Sequence, residues 1–70
     1  LSLPYYEDDG RLLISRFGTA AFIDYAHQYG LSACYWTVNN ESDAVALAAA
    51  GADCLMTDYP GRLYERLYNS

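Results

Sequence analysis

Three short apolar runs alternate with three helical patterns along these 70 residues. Residues 1–4, Leu1-Ser2-Leu3-Pro4, read as the end of a strand that proline stops. Phe22, Ile23, Ala26 and Tyr29 then recur at helical spacing. Ser15 or Thr19 is placed to cap that helix, and Gly30 to end it in a left-handed turn. Residues 32–38 hold Tyr35, Trp36, Thr37 and Val38, which favour a strand. Asn40 is placed to cap a second helix over residues 41–50, with Glu41 and Asp43 at the positive end of its dipole and Gly51 after it. Residues 53–57 form a third short strand, and Pro60 suits the first turn of a third helix. Leu63, Tyr64, Leu67 and Tyr68 give that helix an apolar face. The order β-α-β-α-β-α demands parallel strands joined by right-handed crossovers.

Such an arrangement is incomplete. Three strands do not close a barrel, and they leave two open edges. Parallel sheets are normally covered on both faces, yet a chain this short buries only about 60% of its unfolded surface. With 53% apolar residues the chain is too hydrophobic for a disordered tail. Part of its apolar surface is therefore expected to meet something outside these residues. Residues 5–10 read as a loop with a turn at Asp9-Gly10. Residues 11–17 stay open between a segment lying across a barrel mouth, through Leu12, Leu13 and Ile14, and a briefly paired strand.

The net charge is −5, and the chain contains no lysine. A nucleic-acid surface needs a basic stripe, and a membrane-surface helix needs Lys and Arg beside its apolar side. Neither pattern is present, so no nucleic-acid partner is expected. The longest apolar stretch, residues 44–52, is too short to span a bilayer. Glu7-Asp8-Asp9 reads as a solvated loop. Cys34 and Cys54 lack metal-ligand spacing and have no histidine beside them, so buried free thiols are expected. No secretory leader is visible. A chain that opens on Leu1 gives that little weight, and the compartment stays open.

One set of motifs is more specific than the pattern. Ala26-His27-Gln28-Tyr29-Gly30 is followed by Trp36-Thr37-Val38-Asn39, and later by Gly51-Ala52-Asp53-Cys54-Leu55-Met56-Thr57-Asp58-Tyr59-Pro60. In order and spacing this resembles the end of the glycerophosphodiester phosphodiesterases. Leu1-Ser2-Leu3-Pro4 also resembles their preceding strand. The resemblance implies an α/β fold, the C-terminal part of a (β/α)8 TIM barrel, with residues 1–70 as a single partial domain. A whole barrel takes about 250 residues. The resemblance also implies a place in lipid metabolism: hydrolysis of glycerophosphodiesters such as glycerophosphocholine to glycerol 3-phosphate and an alcohol. Two histidines would serve as acid and base, and carboxylates would hold a divalent cation, calcium or magnesium, on the phosphate.

The family's catalytic residues lie in a His-Arg-Gly and Pro-Glu-Asn region or on other early strands, none of which this chain contains. It has one histidine. His27 sits near a helix end, three residues before Gly30, where capping is its expected role. No catalytic residue and no metal ligand is therefore assigned here, and this segment alone is expected to bind no cation. The substrate-binding candidates are Trp36, Asn39 and Asp58, at the C-terminal ends of strands where barrel active sites lie. Alternation puts Cys34, Trp36 and Val38 on one face, and Tyr35, Thr37 and Asn39 on the other. Trp36 either lines the pocket or is a core tryptophan. Asn39 either reaches substrate or braces the next helix. Asp58 either reaches the site through water or bonds backbone N–H groups where the Pro60 helix starts. Arg62 reads as a surface arginine. Tyr25, Tyr29, Tyr64 and Tyr68 fall at i,i+4 spacing, which suits core or interface better than ligand.

Two further readings remain. The chain could be a self-associating structural module, its partner another copy rather than the remainder of the barrel. It could also belong to a different phosphate-binding barrel, although Thr57-Asp58-Tyr59-Pro60 lacks the glycine such loops use.

Overall fold

The computed structural model describes residues 1–68. Strand β1 (Ser2–Pro4) leads through a 3-10 turn (Glu7–Asp9) into helix α1 (Gly10–Phe17) and helix α2 (Ala20–Gln28). Then come β2 (Cys34–Trp36), α3 (Glu41–Ala50), β3 (Cys54–Leu55) and α4 (Pro60–Tyr68). The three strands are parallel and stand in chain order, β1-β2-β3. Ser2, Leu3 and Pro4 pair with Cys34, Tyr35 and Trp36, while Cys34 and Tyr35 pair with Cys54 and Leu55.

Strands in chain order mean that each crossover steps the same way. With right-handed crossovers, every helix then falls on one face of the sheet. The burial pattern agrees. Ala33 and Tyr35 are fully buried with Ile23 of α2, Leu47 of α3 and Leu63 of α4, and Leu3, Leu13, Ile14 and Leu55 pack against them. The other face carries Pro4, Trp36, Cys54 and Met56, all exposed.

Local chemistry sets the element ends. Thr19, not Ser15, caps α2, its Oγ1 accepting from Phe22 N at 3.1 Å. Ser15 lies inside α1 and donates to Leu12 O. Asn40 Oδ1 accepts from Asp43 N at 3.0 Å to cap α3. Gly30 (φ +72°) and Gly51 (φ +106°) take the left-handed conformations that end α2 and α3.

Several expectations need correction. Residues 11–17 are neither strand nor mouth-spanning segment but most of α1, whose Leu13 and Ile14 pack on the core. Asp9-Gly10 is a helix start rather than a turn. Gly10 is required there because a Cβ would lie 2.5–2.6 Å from the buried Tyr5 ring. Tyr29, Tyr64 and Tyr68 are 67%, 60% and 71% exposed, so among the described residues of α4 Leu63 and Leu67, not the tyrosines, join the core. The tyrosines instead pair along their helices, Tyr25 with Tyr29 and Tyr64 with Tyr68, at ring separations of 5.1 and 4.9 Å. Val38 joins the Tyr35 core rather than the Trp36 face, because β2 ends at Trp36 and strict alternation ends with it.

The largest correction concerns the cysteines. Cys34 and Cys54 are not free thiols. They are register partners on adjacent strands, with Cα atoms 4.6 Å apart, and form a disulfide. Their separation of 20 residues closes a loop whose constraint on the unfolded chain is worth about 3 kcal/mol in the chain-entropy picture. Reduction with a phosphine should therefore expose two thiols to a thiol-reactive dye and lower the urea midpoint. Without reductant, the urea-unfolded chain should give no dye signal.

Candidate functional site

The two ends of the sheet are built differently. At the N-terminal ends of β2 and β3, Asp53 Oδ2 accepts from Ala33 N at 2.6 Å and lies 2.7 Å from His27 Nε2. The Ala33 N–H first, and His27 second, hold the Asp53 carboxyl below the usual carboxylate range. His27 therefore does not cap α2 with its side chain. The backbone closes that helix, through Gly30 N to His27 O and Leu31 N to Ala26 O. The imidazole ties the end of α2 to the start of β3, away from the strand ends where barrel chemistry occurs. Burial, with the Asp53 charge adding to it, raises the Tyr35 phenol above its usual value, and its hydroxyl donates to Phe17 O.

The C-terminal ends carry the candidate residues. Trp36 closes β2 on the helix-free face and is 37% exposed, outside the core that these residues form among themselves. The Trp36–Thr37 peptide bond is cis. Asn39 follows in the loop after β2. Its Oδ1 accepts from Thr57 Oγ1 at 3.0 Å and from Asp58 N at 2.9 Å, and its Nδ2 donates to Asp58 Oδ2 at 3.0 Å. Thr57 Oγ1 in turn accepts from Tyr59 N at 3.1 Å. So Thr57 bonds the backbone N–H just before α4, the work expected of Asp58, whose carboxylate is held by Asn39. Asn39 does brace, but it braces the loop after β3.

Two more interactions frame this end. Tyr5, at the exit of β1, donates its hydroxyl to Asp43 in the first turn of α3. Arg62 lies 5.5 Å over the Tyr59 ring and 3.7 Å from Glu41, with its side chain largely in solvent. The gap enclosed by Val38, Asn39, Thr57, Tyr59, Arg62 and Leu63 is about 10 Å³, room for one water at most. That gap is too small for a substrate, and Trp36 stands on the helix-free side of the same strand ends.

The segment does not fit a divalent cation. Among the described residues, no three His, Cys, Asp or Glu side chains come together. Asp43 accepts from Tyr5, Asp53 accepts from Ala33 beside His27, and Asp58 accepts from Asn39 through one oxygen. Among the described residues, no helix is long and apolar enough to cross a membrane. Thr57 and Tyr5 drew no role from the sequence. The signals for Thr57 were its place in the Thr57-Asp58-Tyr59-Pro60 motif and a hydroxyl at the strand exit, two residues before Tyr59 and three before the helix start at Pro60.

A singly wound parallel sheet, with helices on one face and polar loops gathered at its C-terminal ends, is the arrangement that βα-barrel walls share. The model of the glycerophosphoryl diester phosphodiesterase family matches residues 5–62, and the chain belongs to that family. No curated protein and no solved structure matches it.

The Asp53 bonds carry a pH prediction. A carboxyl depressed in the folded state contributes stability that is fully present above its unfolded pKa of about 3.9. That contribution is lost as pH falls through the lower folded value. Acid titration of the unfolding midpoint should show a loss beginning near pH 4, and Asp53→Asn should flatten that part of the curve.

Proposed function

We propose that this chain supplies the last βα units of a glycerophosphodiester phosphodiesterase, and that Trp36, Asn39 and Asp58 belong to the wall of its substrate pocket. The observation that carries this reading is the position of Trp36. Its indole stands on the helix-free face, at the same end of the sheet as the Asn39–Asp58 bridge. An apolar plane beside fixed polar groups is what a small polyol phosphate needs: a surface for its C–H groups and partners that set its orientation. The reaction's acid, base and cation ligands would come from the family's His-Arg-Gly and Pro-Glu-Asn region. His27, engaged by Asp53 at the far end of the strands, takes no part.

The isolated chain should therefore not hydrolyse glycerophosphocholine, with calcium or with magnesium. A longer chain that adds the histidine region should do so. In that longer chain Trp36→Ala should lower kcat/KM about tenfold, the scale of one lost aromatic packing surface. Turnover by the 70 residues alone, or an unchanged kcat/KM in Trp36→Ala, would sink the reading.

The exposed Trp36 (37%) and Met56 (51%) on the helix-free face also favour a second reading, in which two copies cover each other's open sheets. Sedimentation velocity over a wide concentration range separates the two. A monomer throughout removes self-association.

A further inference from the structure

The hydrogen-bond capacity of the Asn39–Thr57–Asp58 cluster separates the member with most acceptor capacity left for a ligand from two that are largely engaged within the cluster. An amide oxygen has two lone pairs. Both on Asn39 Oδ1 are engaged, by Thr57 Oγ1 at 3.0 Å and by Asp58 N at 2.9 Å. One hydrogen on Asn39 Nδ2 goes to Asp58 Oδ2 at 3.0 Å. Asn39 thus has no acceptor left for a substrate hydroxyl. Thr57 gives its only hydrogen to Asn39 and takes one from Tyr59 N. Asp58 differs. A carboxylate offers about four acceptor sites, one of which Asn39 occupies, and the residue is exposed.

Charge then decides what Asp58 can meet. A carboxylate repels the phosphodiester anion, so it meets the substrate away from the phosphate, and the hydroxyl-bearing glycerol end is the part that every glycerophosphodiester shares, whatever the charge of its alcohol. Resting on the reading above, we propose that Asp58 is the acceptor for the glycerol hydroxyls, and that Asn39 and Thr57 are positioning residues that fix its carboxylate. Asn39 does so through both the backbone and the side chain of Asp58, so rotation of that carboxylate breaks a bond to the opposite loop. Thr57 fixes which way the Asn39 amide faces, because a hydroxyl hydrogen is bonded to Oδ1 and not to Nδ2.

The test uses the phosphodiesterase chain that carries these residues together with the histidine region, assayed with glycerophosphocholine. Competitive inhibition by glycerol 3-phosphate is compared with that by propyl phosphate, which lacks only the two hydroxyls. The unmodified protein should prefer glycerol 3-phosphate by about ten- to a hundredfold, the range for lost hydrogen bonds to a charged group. Asp58→Asn keeps the shape and an oxygen for Asn39 Nδ2, but it should remove most of that preference and raise KM with little change in kcat. Thr57→Val should weaken the preference and Thr57→Ser should restore it, a rescue that general loss of packing would not give. Melting midpoints of Asp58→Asn and Thr57→Ser within a few degrees of the parent exclude misfolding. An Asp58→Asn protein that keeps the full preference overturns the proposal, as does an Asn39→Ala protein that loses it when Asp58→Asn does not. An unmodified protein that fails to hydrolyse glycerophosphocholine defeats the underlying reading and this proposal with it, an outcome distinct from hydrolysis without preference.

Discussion

Every helix among the described residues packs on one face of a three-stranded parallel sheet, and the rest of the structure depends on that asymmetry. It arises from chain order, since β1, β2 and β3 lie side by side and each right-handed crossover returns to the same side. The covered face takes the buried side chains, Tyr35, Ile23, Leu47 and Val38 at the centre. A parallel sheet left bare on its second face is rare in a self-contained domain and normal in a barrel, where opposite strands fill that side. Membership of the glycerophosphoryl diester phosphodiesterase family accounts for the bare face without any special property of these residues.

The sheet's two ends divide the remaining work. At the N-terminal ends, His27, Asp53 and Ala33 join the helix α2 terminus to the start of β3 in a way that serves folding. At the C-terminal ends, the bonds run between loops: Tyr5 to Asp43, and Asn39 to Thr57 and Asp58. Loops tied to one another hold their side chains still, which lowers the ordering cost of binding. On the function proposed here, side-chain hydrogen bonding thus serves stability at one end and preorganisation at the other.

Much of the fold was legible because it rests on local chemistry. Thr19, Asn40, Gly30, Gly51 and Pro60 mark element ends by mechanisms confined to a few residues, and each acts as its type suggests. What the sequence hid depends on distant partners. Helix α1 was hidden because Gly10 looks like a turn until Tyr5 is seen lying against it. The disulfide was hidden because a 20-residue separation says nothing until the β2–β3 register places Cys34 opposite Cys54. The positions of Trp36, Asn39 and Asp58 at strand exits followed from the motifs. Which of them is already hydrogen-bonded did not, because Asn39 finds its partners 18 and 19 residues away.

The disulfide and Trp36 share the helix-free face, and together they show how a segment with too little core is held together. Cys34 and Trp36 stand two residues apart on β2, while Cys54 and Met56 stand two apart along the β3 segment. Strand β3 is only two residues long and sits at the edge of the sheet, so its pairing alone is a weak restraint. A covalent link between register partners restrains it on the face where no helix can. Such a bond persists in oxidising surroundings and is rare in a reducing cytosol. The apolar Trp36 surface needs the opposite treatment. The chain order of the strands leaves it uncovered by this chain's own helices, as the function proposed for Trp36 requires.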